Sequence, residues 1–147
     1  MKREVKNQFT LRFPSRSVNE GFARSAAALF AAQLDPTLEE INDLKTAVSE
    51  AVTNAIVHGY RDRMGEITMT VRLLEPNLVE VTVRDRGCGI PDIRQARQPL
   101  FTTGGDDRSG MGFTIMESFT DGLKVRSAPG KGTSVTLRKA MSLRTGQ

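Results

Sequence analysis

The chain has 147 residues, of which 38% are hydrophobic and 26% are charged. This length and composition fit one globular domain, and the lone cysteine, Cys88, excludes an internal disulfide and gives no support to a zinc site. No apolar run approaches the roughly 20 residues that span a bilayer. The basic amino terminus is not followed by an apolar stretch, so we expect a cytoplasmic protein without a secretory signal.

The net charge of +4 raises the hypothesis of a nucleic-acid-binding protein. However, the 21 basic residues are scattered among 17 acidic ones, and no Lys/Arg cluster is interleaved with aromatic residues. Part of the excess lies near the carboxyl terminus, at Arg138, Lys139 and Arg144. A mixed, solvated surface explains this charge better, and we predict no direct contact with nucleic acid or with a membrane.

The amino-terminal third predicts a strand followed by two helices. Residues 6–13 alternate between apolar and polar side chains, and Pro14 ends this strand. Residues 17–20 form a Ser-x-x-Glu capping box, which predicts the start of the first helix. Its apolar residues at helical spacing are Phe22, Ala26, Leu29 and Phe30, followed by Gln33. Asp35-Pro36 ends it, since a residue before proline avoids the helical conformation.

The second helix begins at another capping box, residues 37–40, and ends near Gly59, a predicted C-cap. Its apolar stripe comprises Ile41, Leu44, Val48, Ala51 or Val52, and Ala55. Strands are predicted over 66–74 and 78–84, joined by the turn-forming residues 75–77. The polar stretch that follows residues 85–91 contains Pro99 and Gly104-Gly105, and its composition predicts a mobile loop.

The carboxyl-terminal third predicts a helix over 113–119 and two strands, 123–127 and 133–138, around the turn 129–132. The element order β, α, α, β, β, loop, α, β, β predicts an α+β fold. We expect a two-layer sandwich in which a mixed, mostly antiparallel sheet carries the helices on one face. A single domain over 1–147 is predicted, with 139–147 as a flexible tail.

Three short motifs carry the candidate chemistry. The first places Glu50, Asn54 and His58 at i, i+4 and i+8, on one helix face beside the apolar stripe. A carboxylate and an amide there are costly to bury unless a partner binds them. A polar helix edge with satisfied hydrogen bonds explains this motif equally well when it is taken alone.

The second motif, residues 85–89, is Asp-x-Gly-x-Gly directly after a valine-rich strand. The glycines let the backbone approach a flat ligand, and Asp85 can accept a hydrogen bond from an exocyclic amine such as that of adenine. The third, residues 108–113, brings Arg108 and a Gly-x-Gly to a helix start, where free N–H groups favour a phosphate. A simple turn and a simple glycine-rich loop remain the alternatives for these two segments.

The order of these motifs, with the late Gly-x-Gly-Thr at 130–133, resembles the GHKL ATPase superfamily and its Bergerat ATP-binding fold. Residues 50–54 look like the N box of that superfamily, and 85–89 and 110–112 look like its two glycine boxes. The runs SEAVTNAIVHGY, VRDRGCGIPD, ARQPLFTT and RSGMGFTIME closely resemble the sporulation anti-sigma factors of the sigma-F type, which are serine kinases. This resemblance extends from about residue 8 to residue 138.

The resemblance implies an ATP or ADP site with Mg²⁺. Asn54 would ligate Mg²⁺, Glu50 would be the general base, and Arg108 would stabilise charge on the γ-phosphoryl group. Asp85 and Thr133 would hold the adenine amine, with Gly87, Gly89 and Ile90 shaping the base pocket. Further nucleotide contacts are assigned to His58, Ala96, Arg97, Thr102, Thr103, Ser109, Gly110, Met111, Gly112 and Phe113. Cys88, between two pocket glycines, is interpreted as an inert small side chain and not a redox sensor.

The resemblance also implies partners. Such proteins are homodimers that hold a sigma factor inactive when ATP is bound, and they phosphorylate a serine of a STAS-domain anti-anti-sigma protein. Arg24 matches a position that the family uses at the partner surface. The alternatives are a general-stress anti-sigma or switch kinase, an ATP-dependent clamp, and a sigma inhibitor that uses nucleotide only as a structural ligand. A histidine-kinase catalytic domain is disfavoured, because the lone His58 lies inside the N box.

Overall fold

The computed structural model describes residues 3–60, 63–90, 92–97 and 112–143. Five strands form one sheet: β1 (Val5–Pro14), β2 (Glu66–Leu74), β3 (Leu78–Asp85), β4 (Gly122–Ala128) and β5 (Gly132–Ala140). Four α-helices accompany them in these residues: α1 (Asn19–Ala31), α2 (Leu38–Asn54), α3 (Ile93–Ala96) and α4 (Gly112–Ser118). A 3₁₀ turn (Ala32–Leu34) follows α1, and a π-helical turn (Ala55–Gly59) extends α2.

The strand order in the sheet is β1-β2-β3-β5-β4, and every neighbouring pair is antiparallel. Alternate residues of β2 and β3, among them Ile67, Met69 and Val81, are buried with the inner faces of α1 and α2. This arrangement confirms the predicted α+β sandwich, and the sheet is antiparallel throughout the described ladders. Within the described ranges, no helix combines the length and apolarity needed to cross a bilayer.

The buried face of α1 differs from the predicted one. Its buried residues are Ala23, Ala27, Ala28 and Ala31, whereas Phe22 and Leu29 are 58% and 77% exposed. Small alanines allow the backbone of α1 to approach its neighbours closely, and α2 is the helix against which α1 packs. The prediction chose the face with the larger apolar side chains; it was wrong for Phe22 and Leu29, whereas Phe30 packs against the core.

Only one of the two predicted capping boxes forms. Thr37 accepts a hydrogen bond from the Glu40 N–H (3.1 Å), and Glu40 accepts one from the Thr37 N–H (2.8 Å), as predicted. At α1 the N-cap is Val18, without a side-chain cap, so Ser17 does not start the helix as expected. Instead the Ser17 carbonyl accepts a backbone hydrogen bond from Glu20, within a turn that precedes α1.

The carboxyl-terminal boundary also lies further along the chain than 138. Lys139 and Ala140 are the last residues of β5, and Met141 is buried in the core. The Ser142 N–H and hydroxyl both donate to Glu40, at 2.8 Å and 2.7 Å. Residues 139–142, which the sequence interpretation assigned to a tail, therefore belong to the folded body. α3, within the stretch predicted as a loop, has Asp92 as its N-cap, and the Asp92 side chain accepts a hydrogen bond from the Gln95 N–H.

Candidate active site

The first motif lies at the carboxyl-terminal end of α2. Glu50 and Asn54 are both partly exposed, next to the buried residues Ala51 and Val52. After Asn54 the helix widens into the π-helical turn that contains His58. Such turns are often found at functional sites, and they change the angular spacing of side chains. The predicted alignment therefore holds for Glu50 and Asn54, whereas His58 is rotated away from strict i+8 register.

Gly59 joins the first motif to the second. The Asp85 side chain, 4% exposed, packs against the Cα of Gly59, and a Cβ there would lie 2.7 Å from Asp85 Cγ. Gly59 has no left-handed backbone conformation, so it is not a C-cap of the predicted kind. A residue without a side chain is needed at position 59 because the end of the helix and the Asp85 carboxylate approach each other so closely.

The Asp85 carboxylate is held in a mostly dry environment. Burial raises its pKa above the ordinary value, while hydrogen bonds from the backbone at Gly87 and Thr133 oppose that rise. The Gly87 N–H donates to Oδ1 at 2.9 Å. A carboxylate with two oxygens has further lone pairs, which suit an amine donor from a ligand.

The glycines of the second motif serve close backbone contacts. A Cβ on Gly87 would lie 1.8 Å from the Gly59 carbonyl oxygen, which also accepts a hydrogen bond from the Cys88 N–H. Gly89 has a φ of +78°, and its Cβ would lie 2.0 Å from the Ala128 carbonyl oxygen. The loop that contains Gly87 and Gly89 therefore packs closely between the end of α2 and the β4–β5 turn. The exposed Cys88 donates its S–H to the His58 carbonyl.

Ser127 is a residue of this site that the sequence interpretation missed. Its hydroxyl accepts from the Ile90 N–H (2.7 Å) and lies 2.9 Å from the Thr133 hydroxyl. Asp85 pairs with Thr133 across β3 and β5, and Thr133 pairs with Ser127 across β5 and β4. The three side chains thus form one row at the end of the sheet. The hairpin register around the predicted turn 129–132 was the available signal.

Tyr60 is a second residue that was missed. Its hydroxyl donates to the Glu66 carbonyl and accepts from the Arg86 N–H, both at 2.7 Å. The guanidinium of Arg63 lies 5.7 Å from the centre of the Tyr60 ring. Tyr60 therefore fixes the backbone next to Asp85 to the start of β2. Its position one residue after Gly59 was the only sequence signal.

Comparisons with known proteins agree with this geometry. The model of the histidine kinase-like ATPase domain family matches residues 13–139. The anti-sigma F factor of Geobacillus stearothermophilus is 55% identical over 137 residues, which are 92% of this chain and 94% of that protein. The anti-sigma F factor of Bacillus licheniformis is 51% identical over 140 residues, 94% and 95% of the two chains. The chain belongs to the anti-sigma F factor family.

Solved structures of lower identity share the fold. The RsbU and RsbW domains of Rv1364c from Mycobacterium tuberculosis match with a TM-score of 0.69 and 20% identity, covering 95% of this chain and 34% of that one. A blue-light activated histidine kinase of Erythrobacter litoralis matches with a TM-score of 0.60 and 21% identity, covering 84% and 42%. At these identities the likeness concerns the fold alone.

The third motif is only partly visible in this member of the anti-sigma F family. Gly112 is the first residue of α4, and Phe113 is buried in the core. Arg97 is paired with Glu117 of α4 through Nε (2.9 Å) and Nη2 (2.5 Å), and Ala96 packs against the core. Arg108, Thr102, Thr103, Ser109, Gly110 and Met111 lie outside the described residues.

Arg24 and Glu50 line the same groove. This groove, of about 310 Å³, lies between α1, α2 and α4 and is lined by Arg24, Asn42, Lys45, Thr46, Ser49, Glu50 and Ile115. Arg24 forms an ion pair of 3.3 Å with Glu20, one turn earlier on α1. The residue predicted for partner contact and the residue predicted as the base are thus brought to one concave surface.

The side chains present suit a magnesium nucleotide. Nucleotide binding follows from the ATPase family, and Asp85 supplies a buried acceptor for an amine. Magnesium takes few protein ligands and completes its shell with phosphates and water. Asn54, partly exposed at the end of α2, has a side-chain oxygen that could serve as such a ligand.

Proposed function

We propose that this protein is an anti-sigma factor that inhibits a sporulation sigma factor of the sigma-F type in an ATP-bound homodimer. It also phosphorylates a serine of a STAS-domain anti-anti-sigma protein. The identity to anti-sigma F factors over more than nine-tenths of the chain supports the first part. The kinase activity is supported by the groove that Arg24 and Glu50 both line. This groove brings the residue proposed to contact the partner protein close to the residue proposed as the general base. The proposal places the protein in the cytoplasm, where RNA polymerase works.

The phosphotransfer assigns one role to each part of the site. Asp85, supported by Thr133 and Ser127, binds the adenine amine, and the glycine-lined loop 85–90 shapes the base pocket. Asn54 would hold Mg²⁺, which would supply positive charge to offset that of the phosphates. Glu50 accepts the proton of the incoming serine hydroxyl, whose oxygen bonds to the γ-phosphorus as the bond to the leaving ADP oxygen breaks. Arg108 and the other residues of 98–111 keep their predicted phosphate roles.

The first experiment mixes the protein with Mg·ATP and a STAS-domain protein from the same genome and follows the partner by intact mass. We expect one added phosphate on the partner, and a loss of about 10²-fold or more in rate for Glu50→Ala with ATP affinity retained. The matched control is Glu39→Ala, which removes an exposed carboxylate from the other end of α2. Transfer by Glu50→Ala at the wild-type rate would exclude Glu50 as the base.

A second measurement addresses the metal. Asn54→Ala should weaken nucleotide binding in the presence of Mg²⁺ and leave the metal-free affinity nearly unchanged. Equal affinities of both proteins with and without Mg²⁺ would contradict the ligand role of Asn54. If ATP binds and no STAS-domain partner is phosphorylated, the alternatives of a different cognate pair, as in stress-type kinases, or a nucleotide-gated sigma inhibitor take the place of the kinase.

A further inference from the structure

The sheet has a second face, which the helices do not cover. Side chains alternate along each strand, so residues next to the inward-facing valines of β3 point outward. Thr82 and Arg84 of β3, and Lys124 and Arg126 of β4, are exposed or partly exposed there. This outer face is polar and carries more cations than carboxylates. The outward-facing charged residues are Arg12, Glu66, Arg72, Glu80, Arg84, Lys124, Arg126 and Arg138.

Three of these arginines lie in one row across the sheet. Arg12 pairs with Thr68, Thr68 with Arg84, Arg84 with Ser134, and Ser134 with Arg126. The arginines therefore occupy alternate strands, at intervals of about 10 Å, because neighbouring strands are about 4.8 Å apart. All three are exposed. We refer to Arg12, Arg84 and Arg126 as the basic row.

The basic row has no internal counter-charge. Glu80 is already paired with Arg138 (2.7 Å) and with Arg72 (3.6 Å), in a different row of the sheet from the basic row. No carboxylate in the described part of the chain forms an ion pair with a member of the basic row. A row of threonines lies between the basic row and the row that contains Glu80. Their hydroxyl groups form hydrogen bonds with one another, Thr10 with Thr70 and Thr82 with Thr136, each at 3.2 Å. The exposed guanidinium groups of the basic row therefore form no ion pair within the described residues and face solvent.

A groove lies beside two members of the basic row, Arg84 and Arg126. It measures about 520 Å³ and is lined by Arg84, Arg126 and Ser134 together with the exposed cations Arg86 and Lys131. The only carboxylate in its lining is that of Asp85, which faces Gly59 and accepts from Gly87 on the other side of the strand. Four cations around one groove attract an anionic ligand from a distance.

We propose that the basic row and this groove bind an acidic segment of a protein partner. Carboxylates match guanidinium groups in geometry and form charge-assisted hydrogen bonds with them. The outer face presents no aromatic side chain among its described residues, so it offers no stacking platform for single-stranded nucleic acid. A second copy of this chain would bring like charges together if it used the same face.

The test uses the full-length protein and a fluorescein-labelled poly-glutamate peptide, followed by fluorescence anisotropy. We expect saturable binding that weakens as salt rises. The double variant Arg84→Gln/Arg126→Gln should lose about tenfold or more in affinity. The matched control Arg16→Gln/Arg94→Gln removes the same charge from two other exposed positions and should lose far less. Equal losses in both double variants would overturn the site, because net charge alone would then explain binding.

Further measurements test whether the variant is folded and which partner the site prefers. Thermal unfolding and ATP binding of the Arg84→Gln/Arg126→Gln variant should equal those of the wild type, since both side chains lie on the opposite face of the sheet from those of Asp85, Thr133 and Ser127, although the groove borders all five residues. If this variant does not fold, Arg84→Lys alone should lose affinity for the peptide while keeping net charge, because lysine lacks the bidentate fork. Tighter binding of a single-stranded oligonucleotide than of poly-glutamate would overturn the proposal, as would a change of oligomeric state in the double variant during sedimentation.

Discussion

Gly59 and Asp85 pack so closely that a Cβ at position 59 would lie 2.7 Å from Asp85 Cγ and 2.9 Å from each carboxylate oxygen. This contact ties the helix that carries Glu50 and Asn54 to the strand end that carries the adenine acceptor. Gly59 and Asp85 are 26 positions apart in the sequence (85 − 59), and the two motifs meet through this single glycine. The position of the acceptor relative to the base therefore depends on the absence of a side chain.

Replacement of this glycine should damage both stability and binding. We expect Gly59→Ala to lower the free energy of unfolding by about 1–3 kcal/mol through overpacking, and to weaken ATP binding because Asp85 must move. Denaturant unfolding and calorimetric titration with ATP measure the two effects. Gly21→Ala is the control: it lies inside α1 with only Arg24 Nη2 near its Cβ, at 3.4 Å, and should stabilise by up to about 1 kcal/mol.

The ionisation of Asp85 should link pH to both nucleotide binding and stability. Because burial raises its pKa, ionised Asp85 costs stability in the unliganded protein; this cost is absent below the ordinary pKa of 3.8 and complete above the raised folded pKa. Asp85→Asn keeps an acceptor for the Gly87 N–H and removes the charge. We expect this variant to be more stable than the wild type at neutral pH and to bind ATP more weakly.

The pH profile provides the check on Asp85. The stability advantage of Asp85→Asn should shrink as pH falls through the raised pKa, since the wild-type carboxyl then becomes neutral too. Chemical unfolding of both proteins across this pH range measures the difference directly. A constant difference at every pH would show that Asp85 does not titrate within the range.

The two helix starts predict effects of different size for two similar substitutions. Thr37→Ala removes an N-cap whose hydroxyl accepts from Glu40, so it should lower the free energy of unfolding by about 1 kcal/mol. Ser17→Ala removes a hydroxyl that caps nothing at α1, and its effect should stay within about 0.5 kcal/mol. Urea unfolding of the two variants compares them, and a larger loss for Ser17→Ala would contradict the assigned N-cap.

Glu40 should contribute a second, opposite pH dependence. Burial alone would raise its pKa, but hydrogen bonds from Ser142 and Thr37 outweigh burial and hold the pKa below its ordinary value of 4.5. Its stabilisation is therefore present above pH 4.5 and is lost as pH falls through the lowered folded pKa. Glu40→Gln should be less stable than the wild type at neutral pH, with a gap that closes in acid.

Glu39 provides the matched control for Glu40. It lies in the same first turn of α2, is exposed, and has no side-chain hydrogen bond among the described residues. Glu39→Gln should thus change stability little at neutral pH. A loss equal to that of Glu40→Gln would assign the effect to the charge of the first turn and not to the bonds with Ser142.

The sequence determined much of this protein by local rules. The strands predicted over 66–74 and 78–84, with the turn-forming residues between them, correspond to β2 and β3, because strand propensity and turn chemistry depend on near neighbours. The capping box at residues 37–40 located the start of α2 for the same reason. The order of the three motifs was enough to indicate the family, since each motif is a short run of residue types.

The tertiary structure decided what the local pattern left ambiguous. Alanines could form the buried face of α1 because α2 approaches closely, and no property of α1 alone favours them over Phe22 and Leu29. Met141 and Ser142 join the folded body through the core and through Glu40, a partner 102 residues away. Ser127 and Tyr60 likewise belong to the site through contacts with residues that are distant in the sequence. Contacts between residues distant in the chain depend on packing in three dimensions, which no sequence period encodes.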